Sequence, residues 1–214
     1  MSGDAGPGVL VRLAVPVGER DHVQGPATAS VTLVEYGDYE CPYCRAAVPI
    51  VEELQRLLPD ELRFVFRHFP LENLHPHAHR AAEAAEAAAS QGRFFEMHAA
   101  LFEHQAALED EDLLRYAADI GLDVARFGAD LEAHTYADRV RKDFRGGIRS
   151  GVRGTPTFFL DDVRYDGAIG VRQLVAAIDA SHPDVIKEEV ESAIRQQTVP
   201  RVVLERTPFR PSAG

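Results

Sequence analysis

Cysteine is scarce in this chain of 214 residues: there are two, accompanied by two methionines and no tryptophan. So few thiols exclude a small secreted scaffold stapled by several disulfides. Because the two lie in one CxxC pair and no second pair exists, a four-thiolate zinc centre is excluded as well. Positive charge is also short, with 23 Lys and Arg against 34 Asp and Glu and a formal net charge of −11. That balance argues against nucleic acid or an anionic membrane as a partner, and the dispersed acids read as solvated helix faces. Long apolar runs are missing too. Val9 to Val17, the longest near the N-terminus, is interrupted by Arg12 and Pro16 and falls short of a membrane span. Met1-Ser2-Gly3-Asp4 offers no basic n-region and no unbroken apolar stretch follows, so the expected location is cytoplasmic, where a dithiol is kept reduced. A hydrophobic content of 45% suits one globular domain, or one domain carrying a large insertion.

Against that background Cys41-Pro42-Tyr43-Cys44 stands out. The run Val31 to Gly37 is rich in β-branched and aromatic residues and stops at Gly37-Asp38, as a buried strand does. Pro42 suits the first position of a helix, and Val48, Val51, Leu54 and Leu58 share one helical face until Pro59 ends it. Cys41 therefore sits at an N-cap, where unpaired N–H groups and the positive end of the helix dipole favour thiolate over thiol. It is expected to be the attacking sulfur. Cys44, three residues on, lies on the same face about 5–6 Å away at the backbone and is expected to resolve the mixed disulfide. Two plainer readings compete. A structural disulfide closing so short a loop would stabilise by only about 2 kcal/mol. Half of a zinc site is the other, since nine histidines are present, His75, His77 and His79 among them.

Strand Val31–Gly37, helix Pro42–Leu58 and strand Leu62–Arg67 make a βαβ unit with parallel strands. Before it, residues 1–30 form an N-terminal segment with a flexible start at Met1–Gly8 and an edge strand within Val9–Val17. Residues 73–151 turn helical, with segments at Ala81–Ala89, Phe94–Phe102, Leu113-Leu114 and Val124–Leu131 punctuated by Gly92, Gly121 and Gly128. Residues 152–180 supply a hairpin, Thr157–Leu160 and Val163–Tyr165 around Asp161-Asp162, and a closing helix Val171–Ala180. Residues 181–214 hold a further helix at Asp184–Gln196 and a proline-containing tail.

A βαβ half with CxxC at its helix, a ββα half opening on Gly154-Thr155-Pro156, and a helical block between them resemble the thioredoxin fold with the helical insertion of the DsbA family. The fold class implied is α/β, a central mixed sheet built from residues 31–72 and 152–180 and interrupted by the insertion 73–151. The similarity runs from Val31 to Ala180 and rests on the CPYC segment, Phe69-Pro70-Leu71 with His75-Pro76, and Gly154 to Phe158. It implies that Pro156 is a cis-proline facing the cysteines, and that the backbone of Thr155 pairs with an extended substrate. It also implies that Glu35 is a buried carboxyl serving Cys44, whose desolvation would raise its pKa and suit it to move that proton. Tyr43, between the cysteines, tunes them and meets the partner. Pro49 matches a proline within the first helix of this fold. The activity implied is thiol–disulfide exchange on protein substrates, with glutathione or a thioredoxin-type protein as recycling partner; the expected cytoplasmic location turns its direction toward reduction or isomerisation. No metal or organic cofactor is implied. A glutathione-linked thioltransferase and a metal-binding or holdase module remain the alternatives. His68, His75, His77 and His79 read as capping or solvated residues rather than ligands.

Overall fold

A computed structural model describes residues 10–196 and 203–204; the expectations for Met1–Gly8 and for most of the C-terminal tail fall outside them. Five strands form one sheet in the order β1-β3-β2-β4-β5: β1 His22–Gln24, β2 Val31–Gly37, β3 Leu62–His68, β4 Thr157–Leu160 and β5 Val163–Arg164. β2 and β3 run parallel and every other pairing is antiparallel. The connection between β2 and β3 is α1, Pro42–Leu57, and the stretch between β3 and β4 holds α2 Ala78–Ala89, α3 Phe94–Glu103, α4 Asp110–Asp119, α5 Val124–Glu132 and α6 Ala137–Arg149. Helices α7, Val171–Ser181, and α8, Glu188–Arg195, follow the hairpin.

β2 lies inside the sheet with all seven residues buried, so its alternation decides which core each side chain joins. Val31 and Leu33 pack on the face covered by α1, α7 and much of the insertion, whereas Val34 and Tyr36 join Val65, Phe69, Val152 and Phe159 on the other. Glu35 is in phase with Val31 and Leu33. A carboxyl group is thereby aimed into the larger apolar core, directly beneath the helix that begins with Pro42.

Three local features differ from the sequence reading. The edge strand is not within Val9–Val17. Among its described residues that segment makes only an isolated bridge, Arg12 to Val163, and the edge of the sheet beyond β3 is formed by His22–Gln24. The pairing is fixed from outside the strand: buried Arg67 holds Asp21 through two hydrogen bonds of 2.7 and 2.9 Å and donates to the carbonyls of Val15 and Pro16. Gly128 does not separate segments but lies within α5. Helix α6 had no counterpart among the segments read, because its sequence is mostly charged. It packs through Phe144, stacked on Phe69 with ring centroids 4.5 Å apart, and through Gly147, where a Cβ would come within 2.6 Å of the Phe69 ring.

Candidate active site

The chain leaves β2 at Gly37, where an added Cβ would meet the Phe66 ring at 2.4 Å and the Glu35 carboxylate at 3.1 Å. Only glycine allows so close an approach, and the loop Asp38-Tyr39-Glu40 then carries Cys41 to the N-cap of α1, with Pro42 as the first helical residue. Asp38 organises this loop. Its buried carboxylate accepts from the backbone N–H groups of Glu40 and Leu71, both at 2.8 Å, and bonds His75 Nδ1 at 2.8 Å. Glu40 pairs with the backbone and the ring of His77 at 2.7 and 2.9 Å, and Gln105, after α3, donates to the carbonyls of Tyr39 and Cys41 at 2.8 and 2.9 Å. Asp38, Glu40 and Gln105 were not singled out from the sequence, since each is an ordinary polar residue until the insertion folds back over the loop. His75 and His77 turn out to be braces for it. His79 pairs with Glu72 at 2.9 Å, and His68 is buried against Glu86.

Cys41 and Cys44 are both free thiols; Cys41 is 3% exposed and Cys44 fully buried. Their acidities are driven apart. The Cys41 pKa falls to about 6, chiefly because the Cys44 thiol donates to its thiolate; burial opposes this, and the Thr155 hydroxyl and the backbone N–H groups of Cys44 and Tyr43 add to it. Burial pushes Cys44 well above the ordinary thiol value, and the nearby charges of Glu35 and Cys41 push the same way. Glu35 sits between Phe66 of β3 and Phe158 of β4 in the sheet register. Burial first, then the charge of Cys41, raises its pKa to about 8. Its buried Oε1 has no hydrogen-bond partner, so one carboxyl oxygen is free for a proton or a water.

Across from the cysteines the Thr155–Pro156 peptide bond is cis, and the Thr155 carbonyl accepts from Cys41 Sγ at 3.4 Å. The Thr155 hydroxyl is buried without another partner, which leaves it available to the thiolate. The sequence reading had given only the backbone of Thr155 a part; its hydroxyl is an addition from the structure. Tyr43, by contrast, is 53% exposed beside the site. Thr155→Val, which keeps the shape and removes the hydroxyl, is expected to move the midpoint of Cys41 alkylation above about 6. A pH series of iodoacetamide rates reads this directly, and an unmoved midpoint would remove the hydroxyl from the account.

The sequence profile of the thioredoxin family matches residues 18–180. Among solved structures, a thioredoxin-like oxidoreductase from Silicibacter pomeroyi DSS-3 superposes with a TM-score of 0.69 at 32% identity, covering 78% of this chain and 94% of that one. BdbD from Bacillus subtilis, in its oxidised form, superposes with a TM-score of 0.62 at 24% identity over 81% of this chain and 92% of its own, a likeness of fold. Among curated proteins, the Na(+)/H(+) antiporter NhaA 1 of Salinispora arenicola is 48% identical over 175 residues, which are 80% of this chain and 26% of the antiporter. The chain thus spans about a quarter of the length of such relatives.

Proposed function

The chain belongs to the thioredoxin family, and we propose that it is a DsbA-like thiol–disulfide oxidoreductase acting through Cys41 and Cys44 on protein disulfides. The observation that carries this reading is the opposed acidity of two sulfurs on one helical turn, one lowered to about 6 and the other raised well above its ordinary value. At pH 7 about nine-tenths of Cys41 is then thiolate, the form that attacks, while Cys44 keeps its proton until needed.

In the reducing direction, the Cys41 thiolate attacks one sulfur of a substrate disulfide. A Cys41–substrate bond forms, and the other substrate sulfur leaves as thiolate. Cys44 gives its proton to the ionised fraction of Glu35, about a tenth at pH 7, directly or through a water, and attacks the Cys41 sulfur. The mixed disulfide breaks, the second substrate sulfur leaves, and two electrons have passed from the enzyme dithiol to the substrate. Thr155 and cis Pro156 hold the substrate segment beside the sulfurs, and the exposed ring of Tyr43 gives it an apolar contact. Glutathione or a thioredoxin-type dithiol returns the electrons. Sodium–proton exchange is not part of the proposal: no helix among the described residues is long and apolar enough to cross a membrane.

The thiolate also supports a direction. Relative to a thioredoxin nucleophile of pKa about 7, one near 6 stabilises the reduced form at pH 7 by about 1 kcal/mol, or about 20 mV. A shift of that size stays close to the thioredoxin potential of about −270 mV, whereas the DsbA value of about −120 mV would need roughly 7 kcal/mol. We therefore propose the reducing direction, which suits the cytoplasmic setting expected from the sequence. Equilibration with glutathione buffers, followed by alkylation, is expected to show one two-electron transition nearer the thioredoxin value of about −270 mV than the DsbA value of about −120 mV. A value near −120 mV would reverse the direction, no reversible transition would end the oxidoreductase reading, and a dominant glutathione adduct on Cys41 would favour a thioltransferase.

A further inference from the structure

Away from the cysteines, His22 of β1, His68 at the end of β3 and Glu86 of α2 converge, and their ligand-type atoms all lie within 4.8 Å of one another. The register explains the convergence. His22 pairs with Phe66, and His68 is two residues beyond Phe66, so both imidazoles emerge on one face of the sheet, where α2 presents Glu86. His22 Nε2 and His68 Nε2 reach the same oxygen, Glu86 Oε1, at 2.8 and 2.9 Å. We propose that these three residues form a binding site for one transition-metal dication of the zinc class, which ties the helical insertion to the sheet.

Two imidazole nitrogens and a carboxylate oxygen from three elements make a nitrogen–oxygen donor set that suits zinc, whose bonds to each are about 2.0–2.2 Å. Ligand atoms around a tetrahedral ion at such bond lengths stand roughly 3.3 Å apart, so the two nitrogen–oxygen spacings of 2.8 and 2.9 Å need to open by about half an ångström, and the two imidazole ligand atoms already lie within 4.8 Å of each other. Without metal, both Nε2 atoms donate to one oxygen and must carry hydrogen. His68 Nδ1 is buried with no protein partner, so it can take the hydrogen that its Nε2 would relinquish, with a water as its acceptor. The electrostatics also favour a cation. Arg139 lies 3.6 Å from Glu86 Oε1, but it is paired with Asp143 as well, which leaves the group one negative charge in excess when the imidazoles are neutral. Phe94 stacks on the His22 ring at 3.5 Å and fixes its plane. The His22 side chain is 15% exposed, against 1% for His68 and 6% for Glu86, so an ion would enter, and a water complete its shell, from the His22 side.

The test must silence the thiols, which bind zinc themselves. Protein stripped with chelator and oxidised to the Cys41–Cys44 disulfide is titrated with zinc chloride in a calorimeter. One equivalent is expected, with affinity falling more than about 100-fold in His22→Ala, beyond what loss of an outer contact to a ligand costs. His104→Ala, at an exposed histidine, should leave it unchanged. Cobalt loading of the same oxidised protein should give visible ligand-field bands with no thiolate charge transfer. No zinc uptake by oxidised protein, or equal affinity in His22→Ala, would overturn the site. Because His22 is partly exposed, that variant should fold even if Glu86→Gln does not.

Discussion

Cys44→Ser is expected to turn the protein into a trap that accumulates mixed disulfides through Cys41, whereas Cys41→Ser accumulates none and loses exchange activity outright. The asymmetry follows from placement. Cys41 is the N-cap residue of α1, and its lowered pKa makes it the thiolate that forms the first bond. Cys44 is fully buried and protonated, so no external disulfide reaches it, but it lies one turn from the sulfur it must attack. Such intramolecular attack carries an effective concentration that reaches about 10⁵ M in well-oriented cases, which millimolar external thiol cannot replace. Mixed disulfides should therefore outlive those of the wild type by well over 100-fold. There is one complication, because the Cys44 thiol is the first cause of the low Cys41 pKa. The serine hydroxyl can still donate to the Cys41 thiolate, which makes Cys44→Ser a better trap than Cys44→Ala. Non-reducing electrophoresis of the two variants after reaction with a disulfide-containing protein reads the result, and trapping by Cys41→Ser instead would exchange the roles of the sulfurs.

The parts of this site that could be read in advance are those written in local sequence. A strand with every residue buried announces itself as the run Val31–Gly37, and a helix opening on proline and closing before another proline is bounded by its own residues, as α1 is at Pro42–Leu57. Glu35 was legible only through the resemblance to the DsbA family, and the structure places it buried on β2. Helix α6 was not legible, because its charged residues hide the few contacts that fix it, and those contacts, Tyr36 of β2 and Phe69 just after β3 against Gly147, come from far away in the chain. The same holds for β1, whose three residues have no strand pattern of their own and are held by Arg67 and Asp21. Asp38 bonds Leu71 and His75, more than thirty residues away, and Gln105 reaches the Cys41 carbonyl from beyond α3. What could not be read is what the insertion does when it closes over the loop. The histidines show this most clearly, since the four from the end of β3 onward, His68, His75, His77 and His79, looked alike in sequence and the fold gave His68 to the sheet–insertion seam and His75 and His77 to the active-site loop.

Glu35→Gln is expected to slow resolution of the mixed disulfide by about 100-fold or more at pH 7, the range lost when a positioned acid–base group is removed. It should also change how stability depends on pH. Glu35 has its pKa raised from 4.5 to about 8 in the folded protein, so the folded state binds the extra proton between those values. The stability it contributes is complete below about 4.5 and is lost as pH rises through about 8, with a ceiling near 5 kcal/mol for the whole shift. Cys41 works in the opposite sense. Its pKa is depressed to about 6, so its contribution is present above the ordinary value of 9.0 and lost as pH falls through about 6. The two slopes oppose each other in the reduced protein between about pH 6 and 8, which would hide both. Oxidation removes the titrating thiol and leaves burial, the larger cause, acting on Glu35. Urea unfolding of the oxidised protein should therefore show stability falling between about pH 7 and 8 in the wild type and no such fall in Glu35→Gln, whereas below about pH 6.5 buried His98, whose pKa is lowered to about 3, adds an opposing slope to both. If the slope survives in the variant, another group is titrating. If slope and resolution rate are both unchanged, the carboxyl beneath the helix neither holds the proton nor moves it.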